Sequence, residues 1–491
     1  MNLKEIAMMG IVYSSTSNTF SQIIQILTKL ILARLLLPQY FGLMAAVLSI
    51  TNIINIFFNL GWGEEIIQRK QDSEKALGNI SVVFLISSVV LTISSFLGAD
   101  KISFFLNQPE LASLLKIYSI SFIIYATTII YLVYMQKNLL FKKKAFCEIF
   151  SNVIFALLAI TLAKLDFGVW SLLLAQLIQS IVLLASFIIS TRWMPALTFD
   201  WKIFKSILIF VKETAAGNMF SISILYVDNL FVAKFLGVEQ LGFYTMAFSL
   251  ASIPIISISH SIAGTMFPIF SKAKDNLELK MMFLKTIHLN FLILLPLTGI
   301  GIALTDTLIG TILSQKWAPI IFLIRILLIY AILRSFCIIS SCLVLSKSKP
   351  KVTKKIFLLE FLILIAIIIP GLNLFGIYGV LLAVLSARLT SAIIFALYVK
   401  KSLSISMQEY FSTLFSTVKI TCMTIIILLL LKNLIFGNIN IFNLFCLLFI
   451  ASISLCTFTF LFDKQSFFEC REAIEIIKNK IVRKYHNLRG N

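Results

Sequence analysis

The residues best suited to chemistry lie inside apolar runs. Asn18, Gln22, Gln25 and Lys29 are spaced four, three and four apart, so on a helix they share one face. Asn52, Asn55 and Asn59, led by Ser49, repeat the pattern in the next apolar run. An amide left without a partner in hydrocarbon costs about 2–7 kcal/mol. Two arrangements satisfy such a face: a water-filled cavity that it lines, or hydrogen bonds to a neighbouring helix. Ser14 to Lys29 carries eleven polar residues, which exceeds what one neighbour offers and favours the cavity.

Ionisable residues come next. Arg334 and Arg388 fall near the middle of apolar runs, where an arginine costs at least about 2.5–3.5 kcal/mol and is expected to face the protein interior or a cavity. Arg325, Lys116 and Lys29 lie nearer the ends of their runs, within snorkelling reach of the interface. On the acidic side, Asp228 and Glu360 lie within apolar runs, and Glu360 is placed to pair with Arg388. Cations outnumber acids. Amides match sugar hydroxyls, and guanidinium grips phosphate through its fork, so such a cavity suits a large, hydroxylated, anionic solute. A structural ion pair is the alternative use for each arginine. His260 and His288 fit ordinary intramembrane hydrogen bonds better than a proton relay. The seven cysteines have no CxxC spacing and read as small buried hydrophobes, so neither a disulfide framework nor a metal or cofactor is expected.

These residues must be positioned by membrane-spanning helices. Of 491 residues, 59% are hydrophobic and 13% charged, about half the charged fraction of a soluble domain. Mean hydropathy is +0.99. Apolar runs long enough to cross about 30 Å of hydrocarbon as helix are expected at 11–33, 43–67, 79–98, 114–136, 147–163, 169–191, 207–233, 242–268, 283–306, 319–345, 356–372, 377–399, 417–436 and 441–462. The fold class is therefore an all-α integral membrane protein of about fourteen transmembrane helices. Twenty Lys and Arg residues fall in the even-numbered loops and six in the odd-numbered ones. Both termini are accordingly expected in the cytoplasm, with the chain multi-pass in the cytoplasmic (inner) membrane. The net charge of +20 then records topology and attraction to anionic membrane lipids, and does not point to nucleic acid. The longest outer loop is expected at 99–113, too short for an extramembrane catalytic domain, so the chain reads as a transporter and not an enzyme.

A shift of 200 residues aligns two stretches without gaps. Asn18, Phe20, Ser21, Ile24, Leu30, Ala33, Leu36, Gly42, Ser49 and Ile53 meet the same residue types at 218 to 253, and Arg34 faces Lys234. The first two spans thus reappear as the seventh and eighth, crossing in the same direction. A parallel repeat of this kind predicts two six-helix lobes, 1–206 and 207–400, followed by two further helices over 401–462. The substrate path is expected between the lobes, opened by rocking of one against the other. Residues 463–491 place Phe467, Ile474, Ile477 and Ile481 at helical spacing among basic residues, which fits a cytoplasmic amphipathic tail on the inner leaflet.

The run from Leu32 to Ala45 (LARLLLPQYFGLMA), the run NLGWGEEIIQRK at 59–70 and the second copy LFVAKFLGVEQLGFY at 230–244 resemble the bacterial polysaccharide flippases of O-antigen and capsule type. These belong to the multidrug/oligosaccharidyl-lipid/polysaccharide (MOP) exporter superfamily. The resemblance covers most of the chain and fades after about residue 400. It implies an undecaprenyl-pyrophosphate-linked oligosaccharide as substrate, carried to the outer leaflet by alternating access. It also implies cationic cavity residues for the pyrophosphate, for which Lys29, Arg334 and Arg388 are the candidates. Membrane lipids, a polysaccharide polymerase and other assembly proteins are the implied partners. The competing reading is a cation-coupled multidrug exporter of the same superfamily, with Asp228 and Glu360 as its ion-binding residues. A membrane glycan polymerase or ligase would need a sizeable outer loop, which the sequence lacks.

Overall fold

In hydrocarbon the backbone must satisfy its own hydrogen bonds, and long apolar runs do so as helix. The computed structural model describes residues 3–69, 71–435 and 441–463, and helix is the only regular structure among them. The first half contains α1 (Leu3–Leu35), α2 (Pro38–Ile54), α3 (Trp62–Gln68), α4 (Ser73–Phe105), α5 (Leu111–Tyr118), α6 (Ser121–Lys137), α7 (Phe141–Lys164) and α8 (Val169–Thr191). Then come α9 (Trp201–Pro254), α10 (His260–Ser271), α11 (Asn276–Ile312), α12 (Ile320–Ser346), α13 (Pro350–Phe375), α14 (Ile377–Leu403), α15 (Met407–Ile435) and α16 (Ile441–Phe462).

Eleven helical stretches among the described residues are long and apolar enough to cross a membrane. The expected fourteen would also require α1, the shorter apolar segment Cys446–Phe462, and two crossings within the 55-residue stretch Gly217–Ser271. The polar run from Ser14 to Lys29 lowers the hydropathy of α1.

Breaks in the helices carry information. Gly237 has φ 86° and ψ 171°, a conformation that suits glycine, and it divides α9 into two helical segments. A 3-10 turn, Asn55–Asn59, follows α2, and a π turn, Ile255–Ser259, follows Pro254. These two turns occupy the same register of the repeat, so both copies leave regular α-helix at one position, one tightened and the other widened. Only the second has a proline to explain it.

Three expectations are corrected or fall outside the described residues. The outer loop placed at 99–113 shrinks, because α4 runs through Phe105 and α5 starts at Leu111. Asp100 reads as a loop residue but sits on α4, where its Oδ1 pairs with Lys116 Nζ at 2.8 Å. Cys147, Cys337 and Cys342 are buried as expected, whereas Cys422 and Cys456 are exposed. Both lie on apolar helices whose outward faces are solvated by lipid in a membrane. The amphipathic tail lies outside the described residues beyond Asp463.

The chain divides into two compact units. The first runs through Leu250 and adds Leu313–Leu323 and Pro350–Ser391. Its core gathers Phe58, Trp62, Phe84, Ile130, Ile207 and Val211. Both copies of the repeated helix pair, up to Leu250, lie in this unit. Trp317, fully buried, ties them down: its Nε1 donates to Ala33 O at 2.7 Å, and Phe41 and Phe243 meet its ring edge-on at 5.5 and 5.9 Å. Beside it, Lys316 Nζ donates to Arg34 O and Leu36 O, where carbonyls at the end of α1 lack helical partners. The second unit comprises Ala251–Ile312, Ile324–Lys349 and the chain from Ala392. Phe283, Ile287, Phe291, Ile339 and Val399 pack in its core.

Candidate functional site

The repeat creates the most regular feature of the first unit. Gly42 on α2 and Gly242 on α9 lie backbone to backbone. A Cβ on Gly42 would overlap the carbonyl of Val238, and one on Gly242 would overlap the carbonyl of Pro38. These contacts are images of each other under the 200-residue shift. Two hydrogen bonds obey the same symmetry. Lys29 Nζ donates to Ser249 Oγ, and Asn229 Nδ2 donates to Ser49 Oγ at 2.9 Å. Each joins the first helix of one copy to the second helix of the other.

The polar face of α1 divides in use. Gln25 Nε2 and Gln179 Nε2 both donate to Asn152 Oδ1 at 3.0 Å, and Gln176 Nε2 donates to Gln179 Oε1 at 2.9 Å. Asn152 Nδ2 in turn donates to Ser21 Oγ at 3.1 Å. Ser17 Oγ donates to Glu148 Oε2 at 3.2 Å, and Lys144 Nζ pairs with the other oxygen of that carboxylate at 3.4 Å. Gln25 therefore joins an amide ladder between α1, α7 and α8, which is the interhelical alternative. Asn18 is exposed, and Gln22 and Lys29 are half-buried. The sequence reading missed Glu148, Asn152, Gln176 and Gln179. Spacings of four and three on successive helices were the available signal.

On the second polar face, Asn52 is half-buried and Asn55 buried. Asn55 Oδ1 has no hydrogen-bond partner among the described residues. Asn59 Nδ2 donates to Asn55 O and to Tyr125 Oη, both at 2.9 Å, and Asn218 Nδ2 donates to Asn59 O at 3.0 Å. These amides take up carbonyls at the 3-10 turn. The conspicuous run at 59–70 is thereby explained largely as architecture. Gly61 turns the chain at φ 111°, Trp62 Nε1 donates to Phe57 O at 2.8 Å, and Arg69 pairs with Glu65 at 2.8 Å. Lys137 Nζ then caps the end of α3 on Ile66 O and Arg69 O.

The central charges also find neighbours. Arg388 Nη2 pairs with Glu360 Oε1 at 2.8 Å, with both side chains below a tenth exposed, and Ser391 Oγ donates to Glu360 Oε2 at 2.7 Å. Asp228 is buried and accepts from Tyr244 Oη at 2.6 Å and from the Asn229 amide at 2.9 Å. In the second unit, Arg334 on α12 is half-buried and lies within electrostatic range of His260. The adjacent Ser335 hydroxyl meets Ser259 Oγ at 2.7 Å and accepts from Asn290 Nδ2 at 2.7 Å. His288 Nδ1 donates to Thr413 O at 2.7 Å while Nε2 meets Asp463 Oδ2 at 2.6 Å. Arg325 pairs with Asp306 at 2.6 Å.

Comparison with known proteins agrees with this architecture. A family model described as "Polysaccharide biosynthesis protein" matches residues 31–322. The lipopolysaccharide biosynthesis protein WzxC of Escherichia coli is 25% identical over 87% of this chain and 88% of its own length. The teichuronic acid biosynthesis protein TuaB of Bacillus subtilis is 27% identical over 67% and 68%. Among solved structures, the lipid II flippase MurJ in an inward closed conformation superposes with a TM-score of 0.72, covering 92% of this chain and 99% of that one at 17% identity. An inward-facing multidrug resistance transporter of the MOP superfamily gives 0.62, with 79% and 94% covered at 16% identity. With the fold of MOP-superfamily transporters and a family match over more than half its length, this membrane protein belongs to the polysaccharide biosynthesis protein family.

Proposed function

We propose that this protein moves an undecaprenyl-pyrophosphate-linked oligosaccharide from the inner to the outer leaflet of the cytoplasmic membrane, for assembly of a surface polysaccharide. The observation that carries the reading is the symmetric joint at Gly42 and Gly242, with its paired bonds Lys29–Ser249 and Asn229–Ser49. At this joint the copies meet through bare backbone and two short bonds, an arrangement that can close and part as alternating access requires. In this reading the lobes are 1–206 and 207–400, fourteen helices cross the bilayer with both termini cytoplasmic, and the joint lies toward the outer face. The glycan passes along Asn18, Gln22, Asn52 and Asn55 while the lipid tail stays in the bilayer. Of the three candidate cations, Arg388 has its charge offset by Glu360, whereas no carboxylate among the described residues lies within ion-pair distance of Lys29, so Lys29 carries more of the attraction for pyrophosphate than Arg388 does.

Reconstitution tests this. Purified protein in liposomes should expose a fluorescent undecaprenyl-pyrophosphate oligosaccharide to an external sugar-oxidising reagent faster than empty liposomes do. Equal rates with correctly folded protein, together with efflux of cationic dyes, would transfer the assignment to a multidrug exporter.

A further inference from the structure

The two cross-copy hydrogen bonds are equivalent by position but not by chemistry. Asn229 makes its bond to Ser49 with a neutral amide at 2.9 Å, and Lys29 makes the image of that bond to Ser249 with an ammonium. The bond itself therefore needs no charge. Among the described residues no carboxylate comes within ion-pair distance of Lys29, whereas Arg388, Arg325 and Lys432 each have one. A serine hydroxyl is a neutral acceptor, and an oxyanion in its place adds Coulomb attraction to the ammonium that the hydroxyl does not supply.

We infer that Ser249 is the positioning residue for Lys29, holding the ammonium where a diphosphate oxygen of the substrate will replace the hydroxyl. Arrival of the anion then removes one of the two bonds that fasten the copies beside Gly42 and Gly242. Substrate binding and loosening of the joint become one event. The inference rests on the flippase reading for the identity of the anion, and on the symmetric geometry for the exchange.

Gln39 and Glu239 are exposed repeat counterparts that flank the joint, so they suit spin labels. Full-length protein in nanodiscs, with native cysteines replaced, would carry nitroxides on Q39C and E239C, and the label distance would be read by pulsed electron resonance. Inorganic pyrophosphate is the probe. In the otherwise unaltered protein it should shift the distribution to longer distances. S249A should show the longer component without any anion. S49A should loosen the joint but still respond, because Lys29 remains. K29Q is the decisive variant: its amide can bond Ser249 as Asn229 bonds Ser49, so the resting distance should match the parent while the response to pyrophosphate disappears. K29R should restore it. A pyrophosphate response that survives in K29Q, no response in the parent protein, or an S249A distance unchanged from the parent, overturns the inference. A response as expected in a protein whose loss leaves surface glycan intact would keep the inference and remove the flippase reading.

Discussion

Gly42 and Gly242 occupy the same point of two repeat copies and touch each other there. An ideal Cβ on Gly42 would come within 2.9 Å of the Gly242 nitrogen, and one on Gly242 within 3.2 Å of the Gly42 nitrogen, besides overlapping the carbonyls of Val238 and Pro38. Small residues let helix backbones meet in this way in membranes. No side chain cushions the joint, and its neighbours are backbone that cannot rotate away. Gly242→Ala should therefore force α2 and α9 apart, costing about 1–3 kcal/mol as overpacking does. Export should fall with a lowered melting temperature, and Gly42→Ala should do the same. A G242A protein with the parent's melting temperature and full export would contradict the close contact.

The Glu360–Arg388 pair permits a separation of structural from transport roles. Removing one partner of a buried pair typically costs about 3–5 kcal/mol, because the other charge is stranded. Arg388→Ala and Glu360→Ala should each lose folded yield. The double replacement E360L/R388M should regain it, since well-packed apolar substitutes are often neutral. Recovery of glycan export in that double variant would assign the pair to structure. Recovered folding with export still lost would give Arg388 contact with the substrate.

Asn152 accepts from Gln25 and Gln179 and donates to Ser21, so it is the node of the ladder linking α1, α7 and α8. Asn152→Leu leaves two amides without their acceptor. A fully buried unsatisfied group costs about 1–3 kcal/mol. With Gln25 exposed and Gln179 half-buried, the melting temperature should fall by an amount that corresponds to the lower end of that range. Gln176→Leu, at the end of the ladder, should cost less. Thermal unfolding of both purified variants measures the difference, and the reverse order would show that Asn152 is not the node.

Trp317 offers a graded test of how the loop before α12 holds α1. Trp317→Phe keeps an aromatic ring against Phe41 and Phe243 but loses the bond to Ala33 O. The loss should be about 1 kcal/mol. Trp317→Ala removes the ring from a fully buried site and should cost about 3–5 kcal/mol. Similar melting temperatures for the two variants would place the stabilisation in the hydrogen bond and not in packing.

Much of this was legible in the sequence because hydrocarbon leaves so little choice. Apolar length revealed the helices, and matched Asn, Gly and Ser residues revealed the repeat whose copies meet at Gly42 and Gly242. The approach of Glu360 to Arg388 followed from the cost of an isolated charge. Other features were hidden for physical reasons. Glu148 stands at the rim of an expected span beginning at 147, and nothing in its position there shows that it receives the Ser17 hydroxyl. Asp100 and Lys101 looked like the start of an outer loop, yet α4 continues through Phe105 and carries both. The 3-10 turn at Asn55–Asn59 contains no glycine or proline. Its cause lies in partners such as Tyr125 and Asn218, which only the folded chain brings near.

The central claim is tested most directly by deleting the gene cleanly and measuring two quantities: polysaccharide at the cell surface, and oligosaccharide attached to the lipid carrier in membrane extracts. The flippase account predicts loss of surface glycan with complete carrier-linked oligosaccharide trapped on the inner leaflet, both reversed by the intact gene and not by K29M. Unchanged surface glycan with no trapped intermediate would contradict it.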